Sequence, residues 1–251
     1  MPSISTPWTL TQDRIGQRGE HNVDCASSVP KVQKHRDYFF ADGNVLLQVE
    51  DVQYKLHRSL LGKHSPVFEA LFTIPQPAGS SEGCSEENPI ILSGIQAANF
   101  TRFLSLLYPH SLGLCDIATV DEWTSVMDQA DRWQVDSLRE HAIAQLRGLY
   151  IEPVRKIIIW QRYNLPADEL VPSYMDVISR PQSLSELEAH DLGLPQFVAI
   201  AQARDAVHLR GACRCCAGSK PHSGTSAGRD RILEDIVRTV IGITRPPNAR
   251  Y

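Results

Sequence analysis

The chain has 251 residues, 42% hydrophobic and 22% charged, with a formal net charge of −4. That length holds one large or two small cores, and the composition is ordinary for a globular protein. The negative balance offers no surface for phosphate backbones, and no apolar run reaches the roughly 20 residues of a membrane helix, so neither nucleic acid nor membrane is an expected partner.

The first residues, MPSISTPWTLTQDRIG, lack a basic start followed by an apolar stretch and do not read as a secretory signal. The six cysteines are unevenly spaced. A cytoplasmic or nuclear protein with reduced thiols is the expectation. Up to about residue 31 the apolar groups Trp8, Leu10, Ile15 and Val23 fit neither helical nor strand period. A disordered tail is expected there, with order beginning near Asp37.

Val45 to Val49 and Val52 to Leu56 read as two strands of a hairpin around Glu50-Asp51. Ser59 is a cap candidate for a short helix carrying Leu60 and Leu61, and Ser65-Pro66 starts a second with Val67, Phe68, Leu71 and Phe72 on one stripe. Residues 75–89 form a polar loop expected to bulge from the surface and vary in conformation. Ile90 to Leu92 is a third strand candidate, and Phe100, Phe103, Leu104 and Leu107 mark a helix ending at Tyr108-Pro109.

Trp123, Val126, Met127, Ala130 and Trp133 recur at helical spacing, as do Leu138, Ala142, Ile143, Leu146 and Leu149. Further helices carry Val154 to Ile158 and Leu170 to Ile178. Ser183 to Glu186 suggests a capping box, and a further helix is expected over about Pro195 to Leu209. After a Gly/Ser/Pro stretch, Ile232, Leu233, Ile236, Val237, Val240 and Ile241 share one face of a last helix.

The order of elements from Asn44 to Phe72 resembles the BTB/POZ family, in its fungal form. The signature falls on Val45, His57, Leu61, Ser65, Phe68 and Phe72, with Asn44 where the family usually has Asp. Ala130-Asp131-Arg132-Trp133 followed by Leu138 resembles the paired helices that close the domain. The resemblance implies an α+β fold, a small three-stranded sheet with a helical cluster, followed here by an all-helical extension. It also implies a scaffold for homotypic or heterotypic protein contacts. Family members that form exchanged dimers carry an amphipathic helix before the first strand, and residues 1–36 show none. The expected division is a tail over 1–36, the BTB/POZ-like domain over 37–150, a helical extension over 151–210, a Cys-containing flexible linker over 211–229, and a terminal amphipathic helix and tail over 230–251.

Candidates for chemistry are few. His57 lies near Asp51 and Ser59, but groups that close in sequence do not converge as a triad does, and a packed histidine at the strand–helix corner is the expectation. Cys213 and Cys216, with His208 and His222, contain four potential zinc ligands but no second Cys pair; a thiol cluster in a loose segment is the competing reading. No phosphate loop, nucleophile elbow or dinucleotide fingerprint occurs, so neither a cofactor nor an enzymatic activity is expected. Val120-Asp121-Glu122 reads as apolar-x-Glu, a motif through which some BTB proteins engage a cullin, but it sits two or three residues off the family's register, and an acidic helix N-terminus is the preferred reading. Partner-binding candidates are therefore Val120 and Glu122, and Ile232, Ile236 and Val240 on the last helix. The expected function is a protein-interaction scaffold or adaptor. Adaptor of a cullin-type ubiquitin ligase and transcription co-regulator acting through recruited partners are the alternatives.

Overall fold

Strand β1 (Gln33–Phe39) opens the described chain and lies partly within the stretch expected to be a tail. The computed structural model describes residues 32–74, 82–110, 116–211 and 226–242. With β2 (Val45–Val49), β3 (Val52–Leu56) and β4 (Ile90–Ile91) the sheet has four strands in the order β1-β3-β2-β4, one more than expected. β1 escapes a period-two reading for a physical reason. Only Tyr38 on it is buried, and between Lys34 and Phe39 it advances five residues while β3 advances two, from Gln53 to Lys55. So wide a bulge erases alternation.

The hairpin forms as expected. β2 and β3 pair antiparallel from Val45↔Leu56 to Val49↔Val52, and Glu50 turns the chain with φ 53°. Asn44 extends the ladder by donating its N–H to Leu56 O, while its Oδ1 accepts from Arg58 N at 2.8 Å. An amide oxygen thus does at the start of α1 (Arg58–His64) what Ser59 was expected to do; Ser59 lies inside the helix, and His57 occupies the N-cap without a side-chain cap. Gly43 beside it has no alternative, because a Cβ there would sit 2.8 Å from Lys55 O.

Helix α2 (Pro66–Thr73) starts on Ser65, whose Oγ accepts from Phe68 N and donates to Trp133 O at 2.6 Å. One buried hydroxyl therefore joins α2 to the end of α4 (Val120–Trp133). Between them, α3 (Ala97–Leu107) ends at Tyr108 as expected. The segment expected to bulge is instead anchored where it is described. Leu46 N donates to Gly83 O, and buried Gln53, on the sheet face it shares with Gln48 and Lys55, donates to Glu86 O.

The remaining helices are α5 (Asp136–Gly148), α6 (Pro153–Arg162), a 3-10 turn (Ala167–Leu170), α7 (Val171–Ser179), α8 (Glu186–Leu192), α9 (Leu194–Gly211) and α10 (Ser226–Ile241). The capping box before α8 uses Ser185 and Glu188, not Ser183 and Glu186, because only that pair bonds reciprocally to the two backbone N–H groups. α10 begins inside the stretch expected to be linker.

Two apolar cores result. One joins the sheet to α1, α2 and α3 through Tyr54, Leu61, Phe68, Phe100 and Phe103. The other joins Trp123, Met127, Ile143 and Leu146 of α4 and α5 to Ile157, Trp160, Tyr174, Ile200 and Val237 of the later helices. α4 serves both, placing Trp133 in the first and Trp123 in the second.

Candidate protein-interaction surface

The sheet-bearing half carries a cluster of aromatic and imidazole rings where β1 crosses the end of α3. Phe40 lies 5.2 Å from His57 and 5.0 Å from Tyr108; Tyr38 lies 4.9 Å from His35 and 5.1 Å from His110. His35 also stacks on Tyr54 at 5.1 Å, and Tyr54 meets Phe100 edge-on. Ring pairs of this geometry hold β1 down at little cost in ordering, since each ring has only two torsions to fix. Burial, together with the neighbouring Asp37 and Asp116 carboxylates, pushes the Tyr38 phenol up to about 12, so it is neutral at physiological pH.

The expected corner histidine is in place. His57 Nε2 lies 3.3 Å from Asp42 Oδ2, and the His57 N–H donates to the Tyr108 hydroxyl. Its partners are thus a surface carboxylate and two rings, not a hydroxyl nucleophile. Val45, Leu61, Ser65 and Phe68 are fully buried in the first core, and Phe72 packs against it. The signature residues build the fold and leave the surface to others.

Val120 is half-buried against the second core. Glu122 is occupied: its carboxylate accepts from Ala118 N, Thr119 N and the Thr119 hydroxyl and faces Arg102 at 3.9 Å, and those backbone donors first of all hold it below the usual carboxylate range. Three residues expected to contact a partner lie on α10. Ile236 is buried and Val240 packs against the second core, whereas Ile232 is 48% exposed. The apolar face of α10 is therefore largely spent within the chain, the commoner fate of such a face. His208 is exposed on α9, while Cys213, Cys216 and His222 lie outside the described residues. Among the described residues no group of three or more His, Cys, Asp or Glu is placed to hold a metal, and no helix is long and apolar enough to cross a membrane.

Sequence reasoning missed the polar network that fastens the later helices. Arg147 of α5 makes a two-point contact with Glu169 in the 3-10 turn, and the same carboxylate accepts from Trp160 Nε1. Next to it Asp168 receives Arg238 of α10 at 2.7 Å. Arg139 of α5 reaches Asp131 and the carbonyl of Tyr163, whose hydroxyl donates to Asp128 of α4. These partners lie 8 to 70 positions apart, beyond the three- and four-residue spacing of a helix, so no local periodicity announces them. Among the described residues, the sheet-bearing half leaves open the outer edge of β1 and the apolar side chains of Val32, Ile74 and, on β4, Ile91, 64% accessible.

No curated protein matches the chain. The family model described as BTB/POZ domain matches residues 33–148. That span begins on β1 and ends on the last residue of α5, and it takes in all four strands. BTB/POZ domains are a family of protein-interaction modules, generally non-catalytic, which often oligomerise. Residues 33–148 thus form a BTB/POZ domain, a small mixed four-stranded sheet with its helices, followed in this chain by a helical region.

Proposed function

We propose that this protein is a non-catalytic interaction scaffold whose partners engage the sheet-bearing half, with the helices after position 150 serving as fixed backing. The observation that carries this reading is the shared second core. The face of α4 and α5 formed by Trp123, Met127, Ile143 and Leu146 is already buried in one core with residues of α6, α7, α9 and α10, so apolar burial with a partner has to be found elsewhere. The β1 edge and Ile91 lie away from that cover. The partner is a protein, in the cytoplasm or nucleus, and a second copy of the chain is among the occupants this reading admits. The fungal assignment rests on the same residue pattern from Asn44 to Phe72.

Proximity labelling with the full chain tests it. Partners recovered by the wild type should be lost with Ile91→Asp and kept with Leu187→Asp on α8, an exposed residue on the opposite half. The reverse pattern overturns the assignment of the surface. Light scattering across a concentration series addresses self-association, and a monomer at every concentration removes the second copy from consideration. A cullin adaptor predicts cullin recovery that Glu122→Ala abolishes without loss of folded protein. The capping role of Glu122 predicts instead that the substitution acts on stability.

A further inference from the structure

The bulge in β1 has an unusual keystone. His35 Nδ1 accepts two hydrogen bonds, from Asp37 N at 3.1 Å and from Tyr38 N at 3.2 Å. Both donors belong to the stretch between Lys34 and Phe39 that has left the ladder with β3, so the imidazole supplies what the sheet does not. An acceptor at Nδ1 dictates the tautomer: the ring is neutral, with its proton on Nε2. A second proton has only Nδ1 to bind, and there it would point at two N–H groups.

We propose that His35 is a pH-operated latch on β1: neutral, it closes the bulge and seats the strand on β3; protonated at Nδ1, it opens the bulge and releases the edge. The charged groups around it act in both directions. Asp37 on the same strand favours the imidazolium, while burial against Tyr38 and Tyr54 and the His110 ring at the end of α3 oppose it more strongly, so the ring's affinity for a proton lies below its ordinary value. The Asp42 carboxylate and the His57 ring face each other at the far end of β1, 3.3 Å apart. The sign follows. A histidine held below its ordinary value stabilises the closed strand fully above about pH 6.5, and that contribution falls away as the pH drops through the folded-state value. Release exposes the edge of β3 from Val52 to Lys55, the backbone that β1 covers. Such an edge accepts an added strand.

Amide protection factors for Asp37 and Tyr38, measured on the full chain by NMR between about pH 8 and about pH 5 and corrected for intrinsic exchange, decide the matter. Protection should be constant at the upper end and decline below, approaching about tenfold for each pKa unit by which the ring is depressed. His35→Asn puts a non-titrating oxygen where Nδ1 stands and should make protection pH-independent, whereas His110→Gln should leave a decline in place. Should His35→Asn fail to fold, the nitrogen chemical shifts of His35 in the wild type still report the tautomer. Flat wild-type protection, a decline that survives His35→Asn, or a proton on Nδ1 at about pH 8 would each overturn the latch.

Discussion

The two halves of this molecule solve the burial problem differently. The sheet-bearing half is closed by rings and by backbone: Phe68 stacks on Trp133 at 4.2 Å, Tyr54 meets Phe100, and single polar atoms such as Ser65 Oγ and Asn44 Oδ1 stitch one element to the next. The helical half is closed by aliphatic stripes of α4 to α10 packed around Trp123, Trp160 and Tyr174, locked at its rim by arginine–carboxylate pairs. The lesson is that the family boundary near residue 148 is not a boundary of packing. Helices α4 and α5 belong to the BTB/POZ domain by sequence, yet their Trp123, Val126, Met127, Ala142, Ile143 and Leu146 are buried in one core with the later helices.

The largest expected effect comes from cutting the chain there. Residues 1–150 alone would present Trp123, Met127, Ile143 and Leu146 to water, and a thermal scan should show no cooperative transition. A sharp transition, with the Trp123 fluorescence still blue-shifted, would mean the halves are separable and would break the comparison. Trp160→Ala empties the middle of the second core and removes a donor from Glu169, at a cost of about 3–5 kcal/mol by denaturant titration. Phe68→Ala should cost as much in the first core. If the halves are coupled through α4, both variants lower one common midpoint; separate midpoints would show two folding units.

Ser65→Ala is smaller, about 1–3 kcal/mol, because Phe68 N and Trp133 O lose their buried partner together. Glu122→Gln keeps the shape of the capping box and gives up its charge at a helix N-terminus, so a loss of about 1 kcal/mol is expected in equilibrium unfolding. Smallest is a pH effect confined to the helical half. Arg180 and the cap at Ser185 hold the Glu188 carboxyl down at about 2. A depressed carboxylate stabilises the fold above its unfolded value and loses that contribution as the pH falls toward the folded one. The acid limb of the wild-type stability curve should therefore flatten in Glu188→Gln, and an unchanged limb would show that this part-buried pair contributes nothing.

The sheet-bearing half was more legible than the helical one, and within it the local signals were the trustworthy ones. Ser65-Pro66, the hairpin and the stripe Val67 to Phe72 all act within one turn or one strand pair, where spacing and physics coincide. β1 was invisible because it buries one side chain and folds on ring contacts with Tyr54, Tyr108 and His110, up to 72 positions away. The anchoring of residues 82–89 was hidden for the same reason: buried Gln53 needs an acceptor, and only the folded chain shows that Glu86 provides it. On α10 the amphipathic face was plain, but its occupant was not.

By itself the sequence determined the type of element at nearly every strongly periodic stretch and the family signature around the hairpin, since both depend on residues a few positions apart. Tertiary structure decided what those elements spend their faces on. Covering α4 and α5 from within the chain, capping α1 with Asn44 rather than Ser59, and closing the β1 bulge on one imidazole nitrogen all depend on where distant groups come to lie. Periodicity carries a face but no address for it; burial and unsatisfied donors supply the address only once the chain is packed.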